Sequence, residues 1–195
     1  DLSPQFHSLD SYIKQCIARK GMPVSKLKLE PEIPKNGKIA DILTVGQWVA
    51  VQVAKEPIST KGPRLTSELS IAGRNLVLMP FADKVSVSQK IKSPEERKRL
   101  KRLIESIKPK NYGVIVRTVA EGKKVAVFDS ELKELVERFE TAFKHIREIE
   151  PPKLILGEID RTSAILRDIL NPSFENVYVN DITPVSYTHL RAHET

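Results

Sequence analysis

The chain holds a single cysteine, Cys16, in 195 residues. One thiol excludes an internal disulfide and any zinc site built from a cysteine cluster. Its neighbours follow an amphipathic helical pattern, so a packing role suits Cys16 better than a reactive one. No apolar run approaches the roughly 20 residues a membrane helix needs, and no leader peptide opens the sequence. Residue 1 is Asp rather than Met, as in a processed chain or a piece of a longer one. A Gly-rich phosphate loop is also missing, since "TKGPRLT" lacks the spacing of either common type. No Ser-His-Asp arrangement stands out, and no paired carboxylates are placed for metal-assisted hydrolysis. Asp181 ends a predicted strand, but without a second carboxylate in view it reads as a strand-end turn. There is no internal repeat and no low-complexity tract. These absences leave a chain that offers binding groups rather than a catalytic set.

What is abundant is positive charge. Lys and Arg number 32 against 25 Asp and Glu, for a net charge of +7 and a pI near 9.4. Apolar residues make up 40% and charged residues 29%, ordinary values for a globular protein. The balance favours a polyanionic partner, nucleic acid first and an anionic membrane second. The closing string "VSYTHLRAHET", residues 185–195, resembles one reading frame of a transposon-type sequencing adapter. The natural sequence is therefore expected to end near Pro184. His189 and His193, four apart with Glu194 following, are set aside as metal ligands for that reason. The tail carries one Arg and one Glu, so the basic character does not depend on it.

Leu9, Tyr12, Ile13 and Ile17 predict a short helix over 8–18. "KLKLEPEIPKNGK" then reads as an extended loop. In "GQWVAVQVAKEP", Val49, Val51 and Val53 alternate with Ala50, Gln52 and Ala54, as in a half-buried strand. A turn at Gly62-Pro63, a strand through Leu65, Ser67 and Leu69, and a third strand in "NLVLMP" make residues 45–80 antiparallel β, with "VSVSQKI" as a further candidate strand. "SPEERKRLKRLIESI" carries a helix start: Ser93 caps, Pro94 takes the first position, and Glu96 completes a capping box. Leu100, Leu103, Ile104 and Ile107 form its apolar stripe. "GVIV", 113–116, reads as a buried strand. A long helix follows, with Leu132, Leu135, Val136, Phe139, Ala142, Phe143 and Ile146 inward and His145 at its edge. "KLILGE", "DRTSAILRDIL" and "NVYVND" then predict a βαβ unit.

Cationic groups gather in three places. Lys61 and Arg64 flank the Gly62-Pro63 turn. Gln89, Lys90 and Lys92 lead into a helix whose outer side carries Arg97, Lys98, Arg99, Lys101 and Arg102. That face reads either as a solvated surface or as a nucleic-acid contact. Arg117 and Thr118 end the buried strand. A strand must leave its core somewhere, and an Arg-Thr pair tolerates water. The same pair on a rigid strand end also suits a phosphate, because a guanidinium fork holds two oxygens and a hydroxyl takes a third.

The stretches "KEPISTKGPRLTSELSIAGRNLVLMP", "SQKI" and "GVIVRTVAEGK" resemble the amino-terminal half of bacterial ribonucleases of the E/G family. Weaker similarity continues through "PPKLILGE" and "ILRDIL" to "NVYVND", so the resemblance covers 41–184, and residues 1–40 fit as a family-variable insertion. It implies an α+β chain: a partial antiparallel β-barrel of oligonucleotide-binding type, an α/β sensor domain, and a truncated βαβ unit. The implied boundaries are 1–66 for the carboxyl-side part of the barrel with its insertion, 67–160 for the 5′-sensor domain, and 161–184 for the start of a ribonuclease-H-like domain. The "VRT" motif, here Arg117 and Thr118, is implied to grip the 5′-monophosphate of single-stranded RNA. Val77 is implied to pack near the terminal base and Lys61 to contact RNA from the barrel. Many members have "SRR" where this chain has "SQK", so Gln89 replaces an arginine and Lys90 is expected to take over part of its role. Arg64, Lys92, Arg97, Lys98 and Lys101 are expected along the RNA backbone.

The resemblance further implies a cytoplasmic, homo-oligomeric endoribonuclease acting in RNA processing and decay. Its magnesium-binding carboxylates and its zinc-linking cysteine pair are expected outside residues 1–184. The competing reading is a non-enzymatic RNA-binding barrel protein, such as a translation or ribosome-assembly factor. The Arg-Thr strand end and the truncated βαβ unit favour the nuclease. A membrane-surface role is disfavoured, because the basic helix has no Trp or Phe on its apolar face.

Overall fold

A computed structural model describes residues 1–18, 21–34, 36–157, 161–171 and 173–178. The chain divides into two compact units, Asp1–Ile155 and Leu156–Thr195. The fold class is α+β, as expected, but its strands are distributed differently from the sequence reading.

The first unit is organised around a four-stranded sheet in the order β3-β4-β6-β5, with β3 Ile71–Ala72, β4 Leu76–Pro80, β5 Val85–Val87 and β6 Tyr112–Val116. Alternation decides its faces. Leu76, Leu78 and Pro80 pair with Val116, Val114 and Tyr112, and all six are buried. Val77 and Ile115 pair on the opposite face, where Val77 is half-buried and Ile115 is 38% exposed. The strand "GVIV" is therefore buried except at Ile115. β5 runs parallel to β6, and α2, Pro94–Ile107, connects them. A βαβ unit thus lies at 85–116.

The expected βαβ unit at 153–181 does not form among the described residues. Residues 153–157 and 176–178 are not strands, and 179–181 lie outside the described residues, with Asp181 among them. A strand needs a neighbour for its backbone N–H and C=O groups. Leu154 is 77% exposed and Tyr178 91% exposed, so neither enters a sheet. The predicted helix between them is present as α4, Arg161–Ile169. The tail at 185–195 also lies outside the described residues.

α3, Val125–Lys144, buries Phe128, Leu132, Leu135, Phe139 and Phe143. It starts before the predicted "SELKEL" segment, and Val136 and Ala142 sit half-buried at the edge of its core side. His145 is exposed, as its place beside the stripe predicts. The amino-terminal helix α1, Phe6–Ala18, completes this core: the Tyr12 ring lies 5.3 Å from Phe81, 5.8 Å from Phe143 and 6.1 Å from Phe139. Cys16 is buried in the same helix. Asn111, in the left-handed region at φ +66°, donates through Nδ2 to Val24 O and Leu27 O, both at 2.8 Å. Glu140 accepts from Val24 N and from the Tyr112 hydroxyl. Burial, reinforced by the Glu140 carboxylate, pushes the Tyr112 hydroxyl far above its usual range.

A second, two-stranded sheet pairs β1, Gln52–Lys55, with β2, Arg64–Thr66, antiparallel. It is shorter and barer than the expected half-buried β block. Val49, Val51 and Val53 are 37%, 43% and 56% exposed, because among the described residues no second layer covers them. The tight turn sits at Ser59-Thr60 rather than Gly62-Pro63. Ile58 and Lys61 exchange backbone hydrogen bonds across it, and Ser59 takes φ +53°.

Candidate nucleic-acid interface

Ser93 caps α2 as predicted, accepting from Glu96 N. The reciprocal half of the capping box does not form. The Glu96 carboxylate instead takes a fork from Arg99, at 2.7 Å on each oxygen, and the N–H of Gly122 at 2.9 Å. A charged fork plus a loop amide outcompetes the return bond to Ser93. The Arg99 fork, with the Gly122 amide, lowers the Glu96 carboxyl to about 2. Arg99 also donates to Lys123 O. The start of α2 is thereby tied to the loop that follows β6.

That loop begins with the two residues the sequence singles out. Arg117 is half-buried and Thr118 exposed. Arg117 N donates to Asn75 O, and Arg117 Nη1 to Gly73 O, both at 2.8 Å. Thr118 Oγ1 lies 3.0 Å from Ser88 Oγ, and Ser88 N donates to Val116 O. Lys90 N donates to Ser88 Oγ at 3.3 Å, which brings the Gln89-Lys90 turn beside the hydroxyl pair. Gln89 and Lys90 are exposed. Sheet register places Val77, Ile115 and Ser86 in one row on the face away from the core. The end of β6 thus carries the Arg117 guanidinium toward the turn before β4 and the Thr118 hydroxyl toward the end of β5, with the apolar row on the same sheet.

Other predicted residues lie elsewhere. Lys61 lies in the connection between β1 and β2, bridged to Ile58, while Arg64 opens β2 and is paired with Asp1 Oδ2 at 2.6 Å. Arg97 is half-buried and donates to Ile91 O at 2.6 Å and Lys92 O at 3.3 Å, so it fastens the connection into α2. Lys92, Lys98 and Lys101 are exposed, with Lys101 3.8 Å from Glu105. Lys98, Arg99 and Arg102 line a shallow cleft on α2. Among the described residues no group of three or more His, Cys, Asp or Glu is placed to hold a metal ion, and no helix is long and apolar enough to cross a membrane.

Sequence reasoning passed over Ser88, Gly73 and Ile115. Ser88 was visible only as the first letter of "SQK". Ile115 is indistinguishable from its buried neighbours until the register with Val77 is known.

The end of β6 in this α+β sheet thus presents an arginine and a threonine, with the Gln89-Lys90 turn joined to the threonine through Ser88. The model of the ribonuclease E/G family matches residues 70–193. Ribonuclease E of Nostoc sp. (strain PCC 7120) is 38% identical over 145 residues, which is 74% of this chain and 21% of that protein. A ribonuclease E/G-like protein of Pyropia yezoensis is 37% identical over 142 residues, 73% of this chain and 28% of that protein. Ribonuclease G of Haemophilus influenzae is 37% identical over 150 residues, 75% and 30% respectively. The chain belongs to the ribonuclease E/G family. It spans less than a third of the length of these relatives, and the family match runs past residue 184 into the closing string.

Proposed function

We propose that this chain is the RNA-recognition portion of a cytoplasmic endoribonuclease, and that Arg117 and Thr118 bind the 5′-monophosphate of single-stranded RNA. The observation that carries the reading is the double anchoring of this pair. Arg117 is held through its main chain and its side chain, and Thr118 through its hydroxyl. A guanidinium has five N–H donors, and the bond to Gly73 uses one of them. A terminal phosphate carries close to two negative charges near neutral pH and presents three free oxygens. An internal phosphodiester offers less of both. Val77, with Ile115 beside it, supplies an apolar seat for the terminal base. Lys90 contributes the charge that Gln89, standing where many members have arginine, does not.

On this reading residues 67–160 form the sensor domain, with the two-stranded sheet of 1–66 contributing barrel strands and 161–184 opening a ribonuclease-H-like domain. Lys61, Arg64, Lys92, Lys98 and Lys101 add phosphate contacts along the strand, while Arg97 acts by holding the chain that leads into α2. Magnesium-dependent chemistry and zinc-linked oligomerisation are assigned to other parts of the parent protein. The chain alone therefore binds RNA without cutting it, and specific magnesium-dependent cuts by the pure chain would contradict this.

The test is a fluorescence titration with 5′-monophosphate and 5′-hydroxyl forms of one RNA at fixed salt. Hydrogen bonds to charged groups contribute about 1.5–3 kcal/mol, so Arg117→Ala should lose roughly ten- to a hundredfold in affinity for the monophosphate form. The hydroxyl form should change little. Thr118→Val keeps the shape, removes the hydroxyl, and should act in the same direction by less. Equal loss for both ends in Arg117→Ala reduces Arg117 to a basic surface residue.

A further inference from the structure

We propose that Glu131 is a positioning residue for terminal-phosphate recognition: its carboxylate holds the turn at 73–76, and that turn holds Arg117. The inference rests on the phosphate-binding reading of Arg117 given above.

Glu131 lies in α3 and reaches across to the entry of β4. Its Oε1 accepts from Asn75 N at 2.8 Å and Leu76 N at 3.3 Å, and its Oε2 accepts from Asn75 Nδ2 at 2.7 Å. The turn closes on itself through Gly73 N donating to Leu76 O at 2.8 Å. Two carbonyls of this same turn then receive Arg117: Asn75 O takes its main-chain N–H, and Gly73 O takes Nη1. The carboxylate, the turn and the guanidinium therefore form one continuous hydrogen-bonded chain, from the helix to the proposed phosphate.

Two further observations show that the turn is shaped around this carboxylate. Asn75 is 4% exposed, and its Oδ1 has no hydrogen-bond partner. Leaving a buried acceptor unanswered is unfavourable, and here the amide turns its N–H side to Glu131 while its oxygen goes without. Gly73 is buried, and a Cβ built on it would stand 2.1 Å from Glu131 Oε1 and 3.1 Å from Leu135 Cδ1. Any larger residue there displaces the carboxylate from the amides it binds. The requirement at position 73 is thus set by Glu131 rather than by the backbone, because Gly73 is not in the left-handed region.

The charge of Glu131 suits this role at one remove. A carboxylate touching the phosphate directly would repel it. Bonded to main-chain and amide donors behind the turn, it fixes the geometry without contributing an acceptor to the site.

The test measures affinities of the full 195-residue chain for one RNA with a 5′-monophosphate or a 5′-hydroxyl end, with thermal melting of every variant. Losing a positioning network of ordinary hydrogen bonds should lower monophosphate affinity about three- to tenfold in Glu131→Ala and leave the hydroxyl form within about twofold. Glu131→Gln keeps the shape and one acceptor oxygen, so its preference for the monophosphate should fall between wild type and Glu131→Ala. A purely structural glutamate would lower the melting temperature and both affinities together, or neither. An unchanged monophosphate-to-hydroxyl ratio in folded Glu131→Ala overturns the proposal. If Glu131→Ala does not fold, Glu131→Gln carries the test, and an unchanged ratio there overturns it equally. Equal wild-type affinities for the two ends would instead overturn the phosphate-binding reading on which the proposal stands.

Discussion

Two β regions lie within the first unit, and only one has a core. The sheet at 71–116 packs one face on α3 and α1, with Leu76, Leu78, Val114 and Val116 at or below 1% exposure. Among the described residues the sheet at 52–66 has no covering layer, and Val53, Leu65 and Ile58 are 56%, 40% and 69% exposed. The proposed RNA contacts divide along the same line. The geometry-demanding pair, Arg117 and Thr118, sits on the packed sheet. Lys61 and Arg64, which need only charge near a backbone, sit in the connection of the bare one and at the start of its second strand. A bidentate contact loses its specificity when its support moves, whereas a point charge tolerates movement. The comparison therefore predicts that end recognition depends on the core and that salt-dependent attraction does not.

The largest effect should come from the packed side. Phe139 touches the rings of Phe143 at 4.7 Å, Phe81 at 6.0 Å, Tyr12 at 6.1 Å and Tyr112 at 6.4 Å. Phe139→Ala should cost about 3–5 kcal/mol by chemical denaturation, and the preference for a 5′-monophosphate should disappear with it. Removing Lys61 and Arg64 together should lower the log–log salt slope of RNA binding by up to about 1.4, at roughly 0.7 per phosphate. Both RNA ends should weaken alike. A loss confined to one end would place these residues in the end-recognition site and erase the division.

A smaller effect is expected at the tie between α2 and the loop after β6. The folded Glu96 carboxyl titrates at about 2, below its ordinary 4.5. A carboxyl lowered in this way stabilises the folded state above pH 4.5 and loses that contribution as pH falls toward 2. The melting-temperature gap between wild type and Glu96→Gln should therefore be widest near neutral pH and close across that window. The smallest effect belongs to the bare sheet. Val53→Ala should change stability by no more than about 0.5 kcal/mol, since little apolar area is covered there.

The sequence makes the helices legible because their signals are local. Ser93-Pro94 starts α2 where predicted, and the apolar spacing from Leu132 to Phe143 marks the buried side of α3. The strands are less legible because their partners are not local. "VSVSQKI" joins β6 in parallel, an arrangement set by a helix crossing rather than by any residue in the strand. Alternation in "WVAVQVA" promises a buried face, but burial requires a second layer that the pattern cannot supply. The Arg-Thr strand end is visible as a motif. Its fixation by Gly73, Asn75 and Ser88 is not, because those residues lie 30 to 44 positions away and meet Arg117 or Thr118 only through sheet register.

The most direct test of the central claim is to record backbone-amide and arginine side-chain NMR spectra while adding a short RNA with either a 5′-monophosphate or a 5′-hydroxyl. The monophosphate form should shift Arg117 and its guanidinium Nε–H, Thr118, Ser88, Lys90 and the turn at 73–76, and the hydroxyl form should leave them nearly still. Both should perturb Lys61 and the outer side of α2 to a similar extent. Identical shifts at Arg117 and Thr118 for the two ends, or shifts confined to the two-stranded sheet, would contradict the account.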